Sequence, residues 1–278
     1  MVSVAMCVYA GDNEKLFFNA LDSILSQTML PDEIILIGDG PLIKPLYDQI
    51  DKIRHKINHN TINCHFRYIE LDKNYGHGEA RRASIENARG DLIAICDADD
   101  LNHNKRFEIQ SNYLKNNPTI SIVGSHVLEK NLLTEDEKYS VRKVPISHNQ
   151  ILKYAPQRCP FNQMTVMFRR KDIISVGSYE DFYCNEDYYL WFKLIKADMN
   201  LANIDKILVT AHLDSNSFGR RGGIKYFLSE IKVKKIFLNA GMLSYYSFLY
   251  NVVIRFVLQV ILPSFIRKFI FKIYLREN

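Results

Sequence analysis

The chain has 278 residues, 47% of them hydrophobic, and a formal net charge of +5. This length and composition provide enough apolar surface for one large domain or two small ones, and they exclude a low-complexity or repeat protein. The charge is uneven, because residues 219–278 contain eleven Lys and Arg but two Glu, which leaves the preceding residues slightly acidic. Such a distribution argues against nucleic-acid binding and indicates a basic tail that meets an anionic surface, with a membrane as the first candidate.

The N-terminus and the cysteines indicate a cytosolic protein. The opening segment MVSVAMCVYAGD lacks a basic start, and its apolar run is too short for a signal peptide. We therefore interpret it as a first β-strand. The five cysteines are odd in number, widely spaced and without a C-x-x-C pair, which is typical of thiols in a reducing compartment.

Strand and helix patterns alternate over the first hundred residues. Apolar runs predict strands at Val2–Tyr9, Glu33–Gly38, Phe66–Leu71 and Leu92–Cys96. Apolar stripes at helical spacing predict helices at Glu14–Gln27, Pro41–Arg54 and Glu79–Arg89, the last of which Gly90 is expected to end. This alternation predicts an α/β fold with a parallel, doubly wound sheet. Ligands of such sheets bind beyond the carboxyl ends of the strands, where the polar clusters of this sequence fall.

The pattern from residue 105 to about residue 215 is mixed. It predicts a helix at Lys105–Asn116, a strand at Ile120–Leu128, a strand at 165–168, a helix at Glu186–Lys196 and a strand at Leu201–Thr210. No Gly-, Pro- or Ser-rich linker separates the two halves. We therefore predict one domain over residues 1–218, with lobes at 1–104 and 105–218, followed by a helical appendage at 219–278.

The segment LIAICDADDLNH, residues 92–103, ends an apolar strand on three carboxylates in four positions. A divalent cation explains this crowding, because Mg²⁺ and Mn²⁺ take carboxylate oxygens and share their other positions with phosphates. An EF-hand is excluded, since a loop that begins at Asp97 has Leu101 and Asn102 where a ligand and a glycine are needed. A dehalogenase-type phosphatase would have Thr or Gly after the D-x-D. On the motif alone, a solvated turn that caps the following helix remains open.

Longer motifs in a fixed order carry a resemblance to a known family. They are VSVAMCVYAGDNEKLFFNALDSILSQTMLPDEIILIGDG, DKNYGHGEARRASIENARGDLIAICDADD and NEDYYLWFKLI. Together they resemble a family 2 glycosyltransferase of the GT-A fold, the inverting nucleotide-sugar enzymes of bacterial polysaccharide and O-antigen assembly. The resemblance covers roughly residues 2–215, and RRGGIKYFLSE resembles the subgroup related to amylovoran-type glycosyltransferases. It implies a Rossmann-like, mainly parallel sheet with helices on both faces.

The resemblance implies a set of donor-binding residues. Tyr9 would lie against the uracil, and Asp39 would accept a hydrogen bond from the base. Asn74 and Arg81 would lie near the nucleotide and its phosphates, whereas the adjacent Arg82, found where the family often has Asn, is expected on a solvated face. Asp97 would contact the ribose or the shell of the metal.

The resemblance also implies a metal site. Asp99 would bind Mn²⁺ or Mg²⁺ directly, and Asp100 would cap the turn. Near the last strand the family often has Arg-x-His, whereas this chain has His212 in place of the Arg and Asp214 in place of the His. This departure leaves the third metal ligand open, and His212 is the remaining candidate. Arg220 and Arg221 would lie on a loop that closes on the diphosphate.

The motif NEDYYLWFKLI is the acceptor-side motif of the family. Local helix chemistry explains it equally well, because Asn185 can cap a helix and the two acidic residues favour its first turn. The resemblance adds that Asp187 is the general base, with Glu186 beside it on the acceptor side. A base for a sugar hydroxyl must be ionised near neutral pH, as an Asp at a helix start is.

These residues together predict an inverting glycosyltransferase. It would move a hexose or N-acetylhexosamine from a nucleotide sugar, UDP being favoured, to a hydroxyl of a polyprenyl-diphosphate-linked saccharide. The alternative is a nucleotide-sugar-binding or scaffold subunit of an assembly complex without turnover, which intact Asp99 and Asp187 disfavour. A phosphatase is a more distant alternative.

The tail predicts contact with a membrane surface. Ile236–Ile254 carries no charge but contains several polar residues, so it is a poor spanning helix. A one-sided apolar stripe follows at residues 252–261, and after it come the break at Pro263 and the basic, aromatic segment SFIRKFIFKIYLR. This pattern is typical of a helix that lies in the interface. We therefore expect peripheral binding to the cytoplasmic face of the inner membrane. A helix pair docked onto the domain or onto a dimer partner is the alternative.

Overall fold

The structure is a computed structural model that describes residues 1–131, 138–213 and 222–262. Its strands are β1 Val2–Val8, β2 Glu33–Gly38, β3 His65–Glu70, β4 Leu92–Asp97, β5 Leu101–Asn102, β6 Ile120–Asn131, β7 Lys138–Arg142, β8 Met167–Arg169 and β9 Asn200–Leu213. Its helices are α1 Glu14–Leu25, α2 Lys44–His59, α3 His77–Asn87, α4 Arg106–Asn116, α5 His148–Tyr154, α6 Arg170–Ser175, α7 Glu186–Lys196, α8 Ile224–Asn239 and α9 Tyr245–Phe256. A π-helical turn, Val257–Ile261, follows α9.

The strands form one sheet in the order β3-β2-β1-β4-β8-β6-β9-β5, and β7 pairs with β6. The first four strands of this order, β3, β2, β1 and β4, are parallel to one another, as predicted. The three-residue β8 is antiparallel to both β4 and β6, while β9 runs parallel to β6. The predicted α/β class is therefore confirmed, and the second half of the sheet is mixed because β8 joins the two halves in the opposite direction.

Helices cover both faces of the sheet because alternate residues of a strand point to opposite sides. On β1, Val4 and Met6 pack with α1 and α2, whereas Ala5 belongs to the core on the other face. That second core contains α3 and α7, including the fully buried Trp191. The two layers leave the carboxyl ends of β1, β2 and β4 at one edge of the sheet, as the sequence predicted.

Several predicted helix boundaries differ from the observed ones, and two of the differences have identifiable reasons. Helix α2 begins at Lys44 rather than Pro41, because Pro45 occupies its first turn, where a missing N–H costs nothing. Helix α3 ends at Asn87, and Gly90 is not its terminating residue. A Cβ on Gly90 would lie 2.4 Å from Ser3 Oγ, so this glycine permits the close approach of β1 instead.

The described part of the tail, residues 222–262, contains the helix pair α8 and α9, of which α8 packs on the domain. Ile236–Ile254 is not one helix, because α8 ends at Asn239 and the chain turns at Gly241, whose φ is +71°. Val233 and Phe237 of α8 are fully buried in the core that contains α7.

The division of the chain at residue 218 stays a prediction. Among the described residues, every helix is too short or too polar to cross a bilayer.

Candidate active site

Six of the residues predicted from the sequence line one cavity at the carboxyl end of β4. The cavity has a volume of about 230 Å³, and its lining includes Arg81, Asp97, Asp99, Glu186, Asp187 and His212. They come from four separate parts of the chain, namely α3, the turn after β4, the first turn of α7 and the end of β9. The fold therefore brings together the predicted metal, donor and acceptor residues.

Arg81 is fixed between two carboxylates. Its Nη1 donates to Glu186 Oε1 at 2.6 Å, and its Nη2 donates to Asp97 Oδ1 at 3.2 Å. Burial would lower the pKa of Arg81, but the Asp97 and Glu186 carboxylates offset this and raise it above its ordinary value. The guanidinium thus stays charged and holds the start of α7 against the end of β4. Glu186, placed on the acceptor side by the sequence, is buried and serves as the partner of this guanidinium.

His212 is held against the carboxylate turn. Its Nδ1 lies 2.6 Å from the backbone oxygen of Asp99, which can only accept, so Nδ1 must donate the proton. A neutral imidazole in this tautomer keeps the Nε2 lone pair for another partner. The backbone N–H of His212 donates to Asp100 Oδ1 at 3.2 Å. Asp100 therefore joins the turn to β9 instead of only capping it.

Negative charge exceeds positive charge around the cavity. The lining contains six carboxylates and two guanidinium groups, Asp97, Asp99, Asp100, Glu129, Glu186 and Asp187 against Arg81 and Arg142. Burial, together with the charges of Asp99 and Asp97, raises the pKa of Asp100 well above its ordinary value. Burial and the neighbouring carboxylates thus disfavour a further negative charge on the turn. Adding a cation would relieve the repulsion.

Asp187 lies where two cavities meet. It lines the cavity described above and also a second cavity of about 360 Å³, which lies between the 142–163 segment, the start of α7 and α9. The backbone N–H of Tyr188 donates to Asp187 Oδ1 at 2.7 Å, and the Cys159 sulfur lies 3.9 Å from Oδ2. Burial and the Asp187 charge raise the pKa of Cys159 well above its ordinary value, so the neighbour of Asp187 is a neutral thiol.

The sequence matches a known family of enzymes. The family described as Glycosyl transferase family 2 matches residues 3–177. The chain belongs to this family. It is 36% identical over 275 residues to UDP-Gal:alpha-D-GlcNAc-diphosphoundecaprenol beta-1,3-galactosyltransferase of Escherichia coli, covering 99% of this chain and 96% of the relative. It is 30% identical over 236 residues to amylovoran biosynthesis glycosyltransferase AmsE of Erwinia amylovora, covering 85% of each. The resemblance to the amylovoran subgroup is thereby confirmed.

Solved structures show the same fold. S. aureus TarS 1–349 in complex with UDP-GlcNAc has a TM-score of 0.65 at 16% identity, covering 99% of this chain and 76% of that one. The mannosyltransferase PcManGT from Pyrobaculum calidifontis, in complex with GDP-Man and Mn²⁺, has a TM-score of 0.63 at 15% identity, covering 87% and 64%. These likenesses confirm the predicted GT-A architecture of this family 2 glycosyltransferase.

The remaining predicted donor residues lie outside the lining of this cavity. Tyr9 meets the ring of His77 edge-on, with centroids 6.5 Å apart, and His77 lines the cavity. The Asp39 carboxylate accepts from the backbone N–H groups of Tyr75 at 2.7 Å and Gly76 at 3.0 Å, so it fixes the loop before α3. The side chain of Asn74 in that loop is exposed. The binding of a base by these residues stays a prediction, and Arg220, Arg221 and Asp214 lie outside the described residues.

Asn185 is the N-cap residue of α7, as the local pattern allowed, but its side chain makes no capping hydrogen bond. Its Nδ2 donates to Ser229 Oγ at 3.1 Å, so the side chain ties the start of α7 to α8. Apolar residues at helical spacing along α7, including Tyr188 and Trp191, are buried. The local pattern could not reveal the bond to Ser229, because its partner is 44 residues away.

Sequence reasoning missed several residues of the family 2 site. They are His77, Glu129, Arg142, Gln163 and Tyr226, which all line the first cavity. The spacing of His77 and Arg81 offered a signal, because residues four apart share a helix face. The others offered none, since Glu129 and Arg142 meet only through the pairing of β6 with β7 and Tyr226 arrives on α8.

Arg81→Lys is expected to lower the free energy of unfolding by about 1.5–3 kcal/mol, because a lysine cannot reproduce the fork that serves two carboxylates. Denaturant unfolding measures this change. The matched control is Arg82→Lys, because the neighbouring Arg82 pairs with Glu86 on the exposed face of α3. That variant should stay within about 0.5 kcal/mol of the wild type. Equal stability of the two variants would contradict a structural role for the Arg81 pairs.

Proposed function

We propose that the chain is an inverting glycosyltransferase of surface-polysaccharide assembly. It transfers a hexose or N-acetylhexosamine from a nucleotide sugar, with UDP as the favoured nucleotide, to a hydroxyl of a polyprenyl-diphosphate-linked saccharide. The observation that carries the proposal is the position of Asp187 in the lining of two adjoining cavities. One cavity has the charge pattern of a metal–diphosphate site, and the other has room for a second substrate.

The donor occupies the first cavity in this proposal. The D-x-D turn and His212 line this cavity, and Arg81 ties the turn to the start of α7 through Asp97 and Glu186. The choice of UDP rests on similarity, since the Escherichia coli relative uses UDP-Gal and the TarS structure is a complex with UDP-GlcNAc. The choice of a lipid-linked acceptor rests on the same relative, which acts on a GlcNAc-diphosphoundecaprenol.

Asp187 acts as the general base. One acceptor hydroxyl in the second cavity gives its proton to Asp187 while its oxygen forms the bond to the anomeric carbon of the donor sugar. The bond from that carbon to the nucleotide diphosphate breaks on the opposite face, so the configuration inverts. Tyr188 N–H and the Cys159 thiol hold the two carboxylate oxygens and orient the base.

A divalent metal ion, Mn²⁺ or Mg²⁺, fits the residues of the first cavity. Asp99 would hold it with help from Asp97 and His212, whose Nε2 lone pair is set free by the Nδ1 bond to the Asp99 carbonyl. When bound, the ion would neutralise charge on the leaving diphosphate. Among the described residues no three His, Cys, Asp or Glu side chains already form a metal cluster. This fits an ion that takes several of its ligands from water and substrate phosphates.

A nucleotide-sugar screen tests the proposed function. Thermal unfolding and hydrolysis are measured with UDP-, GDP- and dTDP-sugars, each with and without Mn²⁺ or Mg²⁺. We expect a UDP-sugar with metal to raise the melting temperature and to be hydrolysed slowly. Binding without hydrolysis or transfer to any acceptor would instead support the non-catalytic scaffold subunit.

The proposal also places the protein peripherally on the cytoplasmic face of the inner membrane. Tyr246, Tyr250 and Val253 lie at helical spacing on α9 and are 86%, 66% and 61% exposed. Large apolar side chains exposed together on one helix face are typical of contact with a partner or a bilayer interface. Because the acceptor is membrane-bound in this proposal, a bilayer surface agrees with both the exposed side chains of α9 and the lipid on the acceptor.

Full-length protein is expected to float with anionic liposomes at low salt, since apolar insertion and basic charge act together. Flotation should fall in a variant with Tyr246→Ser, Tyr250→Ser and Val253→Ser. Neutral liposomes and high salt serve as controls for the charge contribution. Recovery of the wild-type protein in the unbound fraction at low salt would count decisively against membrane contact.

A further inference from the structure

The second cavity has walls of three different chemistries. The α7 wall contributes Asp187, which the cavity shares with the donor side. The wall from residues 142–163 is basic and aromatic, with Arg158 and Tyr154 among its members. The third wall, from α9 and the π-helical turn after it, is apolar at Ile254 and Leu258. The exposed residues of α9 described above lie on the same helix as Ile254, so the apolar wall adjoins the exposed face of α9.

Cations outnumber carboxylates around this second cavity. Four basic side chains, Arg142, Lys143, Arg158 and Arg255, line it together with two carboxylates, Asp187 and Glu230. Glu230 is already bonded to Arg255 and Gln259. Arg142 is paired with Glu129, which does not line this cavity. The balance of charge is therefore opposite to that of the first cavity, so this cavity attracts an anion.

Arg158 is the cation best placed to bind that anion. Its guanidinium lies over the ring of Tyr154, 5.8 Å from the centroid, and the residue is exposed. Within the described parts of the chain, no Asp or Glu forms a salt bridge with it. Stacking on an aromatic ring orients the guanidinium plane while leaving its N–H groups for a ligand. Planar guanidinium groups bind phosphates through two parallel hydrogen bonds.

Gln163 supplies an independent sign of a ligand. The residue is 7% exposed and lines both cavities. Its Nε2 donates to Tyr179 Oη at 2.6 Å, whereas its buried Oε1 has no hydrogen-bond partner among the described residues. A buried acceptor atom without a partner is uncommon in folded proteins. A substrate hydroxyl beside Asp187 would provide the missing donor.

We propose that the second cavity is the binding site for the saccharide diphosphate of the acceptor, an inference that rests on the proposed function. The acceptor sugar lies between Asp187 and Gln163, and its diphosphate binds Arg158. The lipid leaves past Ile254 and Leu258 toward the exposed face of α9. A second phosphate site is required because the donor diphosphate occupies the first cavity, where the carboxylate turn and its metal ion bind it.

Acceptor kinetics test this site. Two acceptors with the same terminal N-acetylglucosamine are compared, one joined to a long alkyl chain through an α-diphosphate and the other a neutral alkyl glycoside. The wild type should have a KM at least about tenfold lower for the diphosphate acceptor, as expected for a charge-assisted hydrogen bond. Arg158→Ala should remove most of that preference while the KM of the nucleotide sugar stays unchanged.

Two further variants separate charge from structure. Arg158→Lys keeps the charge and should recover part of the preference for the diphosphate acceptor. Lys153→Ala removes an exposed cation from α5 that does not line the cavity, so it should behave as the wild type. Equal KM values of wild type and Arg158→Ala for the diphosphate acceptor would overturn the site and leave the proposed function standing. Absence of wild-type transfer to both acceptors would overturn both.

Discussion

Asp187→Asn is expected to lower the rate of sugar transfer by at least about a hundredfold, since general-base catalysis contributes 10²–10⁴-fold to rate. The substitution keeps the size of the side chain and an oxygen that can accept from Tyr188 N–H, but it removes the proton acceptor. Loss of a helix-start charge alone should cost only about 0.3–1 kcal/mol of stability. The measurement is steady-state transfer together with the melting temperature and the affinity for nucleotide sugar.

Asp181→Asn is the matched control for this variant. Asp181 is an exposed carboxylate six residues earlier that lines neither cavity. It should transfer sugar at the wild-type rate. If Asp187→Asn folds, binds the donor and turns over nearly normally, Asp187 is only a helix-start charge and the mechanism is wrong.

Asp99→Ala is expected to abolish transfer and to weaken metal-dependent donor binding while the protein stays folded. The protein should stay folded because His212 Nδ1 donates to the backbone oxygen of Asp99, which the substitution keeps. The missing carboxylate removes a direct ligand from the proposed metal ion, and the repulsion around Asp100 decreases. Mn²⁺ titration monitored by thermal unfolding measures the metal contribution without depending on turnover.

Asp91→Ala provides the control for Asp99→Ala. Asp91 immediately precedes β4, and its side chain is 90% exposed. The substitution therefore removes a carboxylate from the start of the same strand, at the end opposite the site. Its activity should equal that of the wild type. Full activity of Asp99→Ala in the presence of EDTA would end the metal-site hypothesis.

Elements with strong local signals were predictable in both halves of the chain. Strand β2 was predicted to the residue at Glu33–Gly38, and α7 at Glu186–Lys196. Both have continuous apolar runs or stripes that fix the period of the element. The direction of β8 was not predictable, because a three-residue strand has too few side chains to show a pattern and its antiparallel pairing is decided by distant partners.

The sequence did not reveal how the candidate site residues bond to one another. The resemblance implied that Arg81 lies near the nucleotide phosphates, Asp97 near the ribose or the metal and Glu186 on the acceptor side, and these roles stay predictions. In the structure these residues bond to one another across as many as 105 residues. Ion pairs between distant elements are set by the packing of those elements and leave no local pattern. The second cavity was missed for the same reason, because three segments far apart in sequence form it.

The tail contains two local signals of a break between helices that the sequence interpretation did not use. Residues 236–254 are uncharged but too polar for a spanning helix, and the apolar stripe at 252–261 favoured a helix in the membrane interface. Gly241 and Ser244, a turn residue and a helix cap, marked the break between α8 and α9. The burial of Phe237 could not be predicted, because it depends on the face that α7 offers.

The configuration of the product tests the central claim most directly. Wild-type protein is incubated with a UDP-α-hexose or UDP-α-N-acetylhexosamine, Mn²⁺ and the diphosphate-linked N-acetylglucosamine acceptor, and the new anomeric proton is measured by NMR. An inverting enzyme with Asp187 as its base predicts a β-linked disaccharide that does not form with Asp187→Asn. An α-linked product, or a β-linked product made equally well by Asp187→Asn, would contradict the account.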